Sequence, residues 1–393
     1  MPNVRVEWGG DEVFTIQFAR IRDLMNATNS DFLIIGGGVI GMMTALQLAD
    51  AGHRITLLER GECGREASWA GGGIVSPLYP WRYSMPISRL SRWSEGFYPE
   101  LSLRLLEETG IDPEYRQKGL LYLRVEDAAK ALDWARVVGK PLERVGADFL
   151  YAKEPQAAPG FENALWMPTL GSIRNPRLGQ ALRARLMAMP QVELREGVDV
   201  GRLCVERGTI TGVLSRAERF AAGQVIVCGG AWAAQLLRSA GVELAVRPVK
   251  GQMILFKAPL ELVRRVVLMD GRYVIPRNDG RVLAGSTLEE AGFDKQTTDE
   301  ALVALRDSAT RIIPALADCL VEHHWAGLRP GSPDGVPTIG AVPGIQGLYV
   351  NAGHYRNGLV LAPASTRLLV DQLLGREPII DPSPYYLVNP PGT

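Results

Sequence analysis

The run Gly36-Gly37-Gly38-Val39-Ile40-Gly41 lies between an apolar stretch, Asp31-Phe32-Leu33-Ile34-Ile35, and a helix-forming one, Met42-Met43-Thr44-Ala45-Leu46-Gln47-Leu48-Ala49. Strand, glycine turn and helix in that order make the first half of a βαβ unit that binds an adenine dinucleotide. Gly36 permits the tight turn, Gly38 lets the backbone approach a pyrophosphate, and Gly41 lets helix and strand pack closely. The helix N-terminus then offers amide donors to the phosphates. Glu59 closes a second strand-like run about 20 residues further on, where a carboxylate accepts a ribose hydroxyl.

A chain of 393 residues can bury a large core and suits two domains, one for a cofactor and one for a substrate. Lys plus Arg and Asp plus Glu are equal at 43 each, so no bulk field attracts nucleic acid and the expected partner is a small molecule. Cys63, Cys204, Cys228 and Cys319 are widely spaced without a CxxC pair, which argues against a disulfide framework or a zinc site. No metal is expected, and a reducing cytoplasm fits. Residues 32–49 carry no charge, but their glycine cluster breaks any continuous helix, so no integral membrane span is expected. Residues 1–30 lack the pattern of a secretory signal and carry Glu7, Asp11, Glu12 and Asp23. Met25 stands just before the first strand, so the functional domain is expected to begin there, after a poorly packed leader; lost folding on deleting residues 1–24 would refute this.

Past Glu59, the segment Cys63-Gly64-Arg65-Glu66-Ala67-Ser68-Trp69-Ala70-Gly71-Gly72-Gly73-Ile74 reads as backbone laid along a ligand, too glycine-rich for a helix interior. Periodicity predicts helices over residues 90–109 and 177–189, a strand over 119–125 followed by another helix, and strands with a hairpin over 192–195 and 209–213. Gln224-Val225-Ile226-Val227-Cys228-Gly229-Gly230-Ala231-Trp232 reads as a central parallel strand meeting a cofactor, so the nucleotide domain resumes there. Strands at 253–256, 273–276 and 282–285 and a helix over 298–313 suggest an antiparallel sheet with a helix. A last strand, 348–351, leads through a glycine loop into a helix over 358–374.

Taken together, the fingerprint, residues 68–74 and 225–232, Trp325-Ala326-Gly327-Leu328-Arg329-Pro330 and Gly353-His354-Tyr355-Arg356-Asn357-Gly358 resemble the D-amino-acid oxidase superfamily of FAD-dependent oxidoreductases. Within it the chain is most similar to the glycine oxidases of thiamine biosynthesis, over about residues 31–374. The resemblance implies an α/β fold in which a Rossmann-like FAD-binding domain, 31–107, 168–239 and 326–375, is assembled from separated segments. An α+β substrate domain with an antiparallel sheet, 108–167 and 240–325, completes it, between an N-terminal extension, 1–30, and a C-terminal tail, 376–393.

The same resemblance implies Val39 and Ile40 at the pyrophosphate, Glu59 and Arg60 at the adenosine ribose, the backbone of Val198 at adenine, and Ala67, Gly71, Gly72 and Gly73 along the flavin. A second flavin contact comes from His354, Tyr355, Arg356, Asn357, Gly358, Leu359 and Val360. A helix start there presents positive charge to the pyrimidine edge of the ring and favours its reduced state, with His354 and Arg356 tuning it. Gly327 to Ile339 lacks the cysteine by which sarcosine-oxidising relatives attach their flavin, so noncovalent FAD is expected.

Arg329 carries the substrate expectation, because a guanidinium pairs bidentately with a carboxylate and fixes its plane. Tyr273 would donate to the same carboxylate and cover the pocket. Orientation then supplies most of the catalysis: Cα–H faces flavin N5, and a neutral amine assists hydride departure. An imine, then an oxo acid and ammonia, would follow, with dioxygen as acceptor and hydrogen peroxide as its product. The expected substrate is glycine, with sarcosine and small D-amino acids beside it, and the resemblance suggests a homo-oligomer. A D-amino-acid dehydrogenase using a quinone and a non-catalytic flavin-binding module are the alternatives; Arg329 and Tyr273 stand against the second. Trp69 either lines the pocket or anchors its loop, Tyr79-Pro80-Trp81-Arg82-Tyr83 forms either a lid or a packed loop, and His323-His324 reads as strand rather than metal ligand.

Overall fold

The structure, a computed structural model, describes residues 30–216 and 218–387. The expectation of a leader ending near Met25 lies outside them. Seventeen strands are β1 Phe32–Ile35, β2 Ile55–Glu59, β3 Leu120–Leu123, β4 Glu143–Gly146, β5 Asn163–Met167, β6 Val192–Glu196, β7 Val200–Glu206, β8 Thr209–Ser215, β9 Arg219–Ala221, β10 Val225–Val227, β11 Arg247–Lys257, β12 Val266–Met269, β13 Arg272–Pro276, β14 Arg281–Gly285, β15 Leu320–Gly331, β16 Thr338–Ala341 and β17 Leu348–Ala352 among the described residues. The helices are α1 Val39–Asp50, α2 Glu66–Ala70, α3 Met85–Thr109, α4 Ala128–Val138, α5 Ala147–Lys153, α6 Asn175–Met187, α7 Ala233–Arg238, α8 Asp299–Ile312 and α9 Gly358–Leu373.

Continuous apolar runs make strands that are buried on both faces. Accordingly Phe32, Ile34, Ile55, Leu57 and Ile226 point into the core under α1, α3, α6 and α9, while Leu33, Ile35, Leu58, Val225 and Val227 point into a second core on the other side. This sheet runs β16-β17-β10-β1-β2-β6, parallel except at β16. The chain leaves β1 for β2 on one side and returns to β10 on the other, so the strand order reverses between β1 and β10, where ligands of open α/β sheets bind. A Cβ on Gly41 would overlap the carbonyl oxygen of Gly36, which is how the last fingerprint glycine lets α1 meet the turn.

A second sheet, β15-β11-β14-β13-β12-β3-β5-β4, is antiparallel except where β3 lies parallel to β12. Its long β11–β15 pair lines up Val249 with Arg329, and β15 runs across position 326, where the sequence reading divides the two domains. The small sheet β7-β8-β9 holds the expected hairpin, whereas β6 joins the edge of the parallel sheet beside β2.

Two local expectations need correction. Glu66-Ala67-Ser68-Trp69-Ala70 forms the short helix α2, because the glycine run begins only at Gly71; the extended backbone starts there. α3 begins at Met85 rather than at residue 90, with Pro86 in its first turn, where a missing N–H is harmless. Among the described residues no helix is long and apolar enough to cross a membrane, and none of their His, Cys, Asp and Glu groups could hold a metal ion. All four cysteines are free.

Candidate active site

Two abutting cavities of about 180 and 360 Å³ share Gly38, Ala67, Ser68, Cys228 and Gly230 and so form one elongated cleft over the strand-order reversal. Gly38, Val39, Ile40, Ala67, Gly71, Gly72, Gly73, Tyr273, Arg329, His354, Tyr355, Arg356, Asn357, Gly358, Leu359 and Val360 line one end. Gly36, Glu59, Arg60 and Val198 line the other. Gly41 lies behind the turn, packed against Gly36.

At the Glu59 end the carboxylate is held by backbone: Oε2 accepts from Gly37 N at 2.7 Å and Oε1 from Gly61 N at 2.8 Å. The Arg60 guanidinium sits 3.6 Å above the Trp232 ring and pairs with Glu66 at 3.2 Å. α1 has no side-chain cap, although Val39 N donates to Ser68 Oγ at 2.9 Å, so its remaining first-turn amides can receive an anion. α9 is likewise uncapped by its N-cap residue, Asn357, and opens on the cleft.

Asn357 is 4% exposed and its Nδ2 has no partner, while Asn175 Oδ1 is buried without one and Asn175 Nδ2 donates to Ser68 O at 2.9 Å. Both residues line the cleft. Buried polar atoms in native proteins are paired, so these two orphans, with two uncapped helix starts, fit a large polar cofactor lying along the cleft. An adenine dinucleotide carrying a flavin has the required length, phosphates and ring acceptors.

At the other end Arg329 projects from β15 and donates to Lys250 O (3.3 Å), Thr287 O (3.2 Å) and Ser286 Oγ (2.8 Å). Two carbonyls and a hydroxyl leave its charge uncompensated, and no carboxylate of the described residues pairs with it. Burial, aided by the charge of Arg356, pushes its pKa down. A side chain at Gly251 would overlap the guanidinium, so that glycine makes its room. Tyr273 is 7% exposed, and its hydroxyl meets only Met253 Sδ, at 4.0 Å. Its proton is therefore available to an incoming oxygen. The neighbouring Arg272 donates to Ser286 O.

His354 is buried, and Ser365 Oγ lies 2.7 Å from its Nε2 and donates to Asn351 Oδ1 at 2.7 Å. The hydroxyl proton being committed, His354 Nε2 carries the hydrogen that completes the chain. Burial pushes the ring down to about 3, so it is neutral and lends the cleft no charge. Arg356, by contrast, lines the cleft with an exposed side chain.

The residues with two readings resolve. The Trp69 ring packs edge-on against Trp325 at 5.3 Å, and Trp325 Nε1 donates to Ala70 O, so Trp69 anchors α2. Pro80–Arg82 is a packed 3-10 turn: Trp81 is 4% exposed and bonds Asp127 Oδ2 at 2.8 Å, and Tyr79 Oη accepts from Gly271 N. His323 and His324 lie on β15. Ser68 and Trp232 lie in segments read from the sequence as meeting a ligand, although neither was given a role; Asn175, Ser286 and Thr287 were missed as parts of the cleft's fabric, and of these only the Asn175-Pro176 pair carried a signal, as a helix start.

The profile of the family described as FAD dependent oxidoreductase (DAO) matches residues 31–372. The chain is 53% identical to a glycine oxidase of Pseudomonas aeruginosa over 353 residues, which is 90% of this chain and 97% of that one. It is 32% identical over 364 residues to a bifunctional protein ThiO/ThiG of Synechocystis, covering 89% of this chain and 52% of that one. The crystal structure of glycine oxidase from Geobacillus kaustophilus superposes with a TM-score of 0.87 at 32% identity, over 92% of this chain and 99% of that one.

Proposed function

The chain belongs to the DAO family of FAD-dependent oxidoreductases, and on that footing we propose that it oxidises glycine, with sarcosine and small D-amino acids as further substrates. The observation that carries the reading is Arg329: a cation among two carbonyls and a hydroxyl, beside the free hydroxyl of Tyr273, is a receptor for a carboxylate. The ThiO/ThiG similarity supports a role in thiamine biosynthesis.

Arg329 takes the substrate carboxylate and fixes its plane, and Tyr273 donates to the same group. Ile74, Leu78, Met253 and Tyr273 give the pocket apolar walls, which exclude water and leave room for a small Cα substituent. FAD held in this cleft would supply the hydride acceptor for that carbon and the route for the electrons to dioxygen. The cavity lining around Arg329 includes no carboxylate, and His354, held down to about 3 by burial and engaged with Ser365, is too weak a base to take the amine proton, so the substrate reacts with its amine neutral. The product imine hydrolyses to glyoxylate and ammonia. Asn357 Nδ2 and the α9 amides would meet the pyrimidine edge of the ring, and α1, Glu59 and Arg60 the pyrophosphate and ribose. The FAD is held without a covalent bond: Gly327 to Ile339 has no cysteine, and burial pushes the cleft thiol of Cys228 up to about 12. Carried over from the resemblance, assembly into a homo-oligomer completes the proposal.

A panel of glycine, sarcosine, D-alanine and D-proline, each assayed for oxygen uptake and for dye reduction, tests it. Oxygen uptake with glycine matching the rate of dye reduction is expected. Fast dye reduction with little peroxide would make the chain a dehydrogenase instead.

A further inference from the structure

Arg277 follows directly on β13, whose alternate side chains share a face. Tyr273, Ile275 and Arg277 form that row, and all three converge on Gly72. A Cβ built on Gly72 would lie 3.1 Å from Ile275 Cδ1 and 3.1 Å from Tyr273 Oη. Arg277 Nη2 donates to Gly72 O at 2.9 Å, and Nη1 donates to Ile173 O at 3.0 Å. Ile173 in turn donates its N–H to Gly73 O at 2.8 Å. One guanidinium thus clips the glycine segment of the cleft to the chain that leads into α6.

No ion pair compensates this charge among the described residues, because the nearby acids Glu114 and Asp279 are taken by Arg174 at 3.1 and 2.9 Å. Burial pushes the Arg277 pKa down, to about 10, which leaves the group charged at neutral pH. A desolvated cation spent on two backbone carbonyls is an expensive way to hold a loop. Its orientation gives the reason. In a trans peptide the carbonyl and the N–H of one plane point in opposite directions. With Gly72 O turned to Arg277, the N–H of Gly73 points away from it; Gly73 lines the cleft and its N–H has no partner among the described residues. Glycine on both sides makes that plane free to flip, and Gly73 already sits at φ +84°.

We propose that Arg277 is a positioning residue that locks the Gly72–Gly73 peptide with its N–H facing the cleft, where it donates to the flavin ring. The proposal rests on reading the cleft as a flavin site. The locked donor and the buried positive charge both favour electron density on the ring, so Arg277 also raises the flavin midpoint potential.

The test uses purified Arg277→Met and Arg277→Lys proteins beside the native one, with FAD affinity from fluorescence titration, the visible flavin spectrum, and the midpoint potential from dye equilibration. In Arg277→Met, FAD affinity falls about tenfold, the flavin bands shift and the potential becomes more negative, as expected for loss of a charge-assisted contact. Arg277→Lys keeps the charge and one carbonyl contact, and recovers the potential more fully than the affinity. Native-like affinity, spectrum and potential in folded Arg277→Met overturn the proposal. If Arg277→Met does not fold, Arg277→Lys decides: unchanged FAD affinity and spectrum overturn it, and a weakened affinity with a shifted spectrum supports it. Failure of the native protein to bind FAD at all would instead remove the flavin reading of the cleft.

Discussion

Replacing Arg329 with alanine removes the buried cation, free of any carboxylate partner among the described residues, that the geometry offers to a substrate carboxylate beside Tyr273. A charge-assisted, bidentate pair in a partly desolvated site is worth about 2 to 4 kcal/mol when one partner is truncated. That corresponds to a fall of about 30- to 1,000-fold in affinity for the carboxylate. The lower end applies if water follows the vacated volume to solvate Lys250 O, Thr287 O and Ser286 Oγ, which the guanidinium now satisfies. Arg329→Lys keeps a point charge but loses the fork, so its loss is smaller, about tenfold. Acetate, which carries the carboxylate without a reacting amine, isolates binding from chemistry; its dissociation constant is read from perturbation of the flavin spectrum. FAD content stays native in both variants, because the contacts of Arg329 are to backbone and Ser286. An Arg329→Ala protein with native FAD content and acetate affinity within about threefold of native would refute the reasoning.

Gly251→Ala forces a Cβ into the Arg329 guanidinium and so raises the glycine KM about tenfold, with little change in Tm; steady-state kinetics and calorimetry on the same sample check both. The kcat/KM profile for glycine rises with pH toward the pKa of the substrate amine, without an ionisation of His354 above about pH 3; a rise that levels off between pH 6 and 8, around the ordinary histidine value of about 6.5, would expose a hidden base. Glu154 is fully buried, accepting from the amides of Arg264 and Arg265, and burial raises its pKa from 4.5 to about 7. A raised folded pKa means that the folded state holds the proton more tightly, so this group's stabilising contribution is lost as pH climbs from 4.5 to about 7. Glu154→Gln flattens that part of the stability curve in urea titrations; an unchanged slope would contradict the assignment.

Local signals carried the nucleotide half of the protein. The fingerprint, β1, α1, β2 and β10 follow from glycine spacing and continuous apolar runs, because a strand buried on both faces has few other compositions. The cleft's internal supports did not show. Asn175 Nδ2 reaches Ser68 O across 107 positions and Arg277 reaches Gly72 across 205, and no periodicity records such a pairing. The same holds for Trp81, whose partner Asp127 is 46 residues away; without it a packed turn and a lid have the same sequence. β3 joining β12 in parallel is also a non-local choice. Helix α2 was hidden differently: its five helix-compatible residues directly precede the glycine run, and the composition of the whole segment masked them.

The central claim is that the cleft holds a flavin which takes electrons from an amino acid seated on Arg329. Anaerobic titration of the purified holoprotein with glycine tests it most directly, with the visible flavin absorbance as the readout. The expected result is that glycine bleaches the flavin and that readmitted oxygen restores the colour with release of hydrogen peroxide, while Arg329→Ala at the same glycine concentration stays yellow. A native flavin that keeps its absorbance at saturating glycine would contradict it.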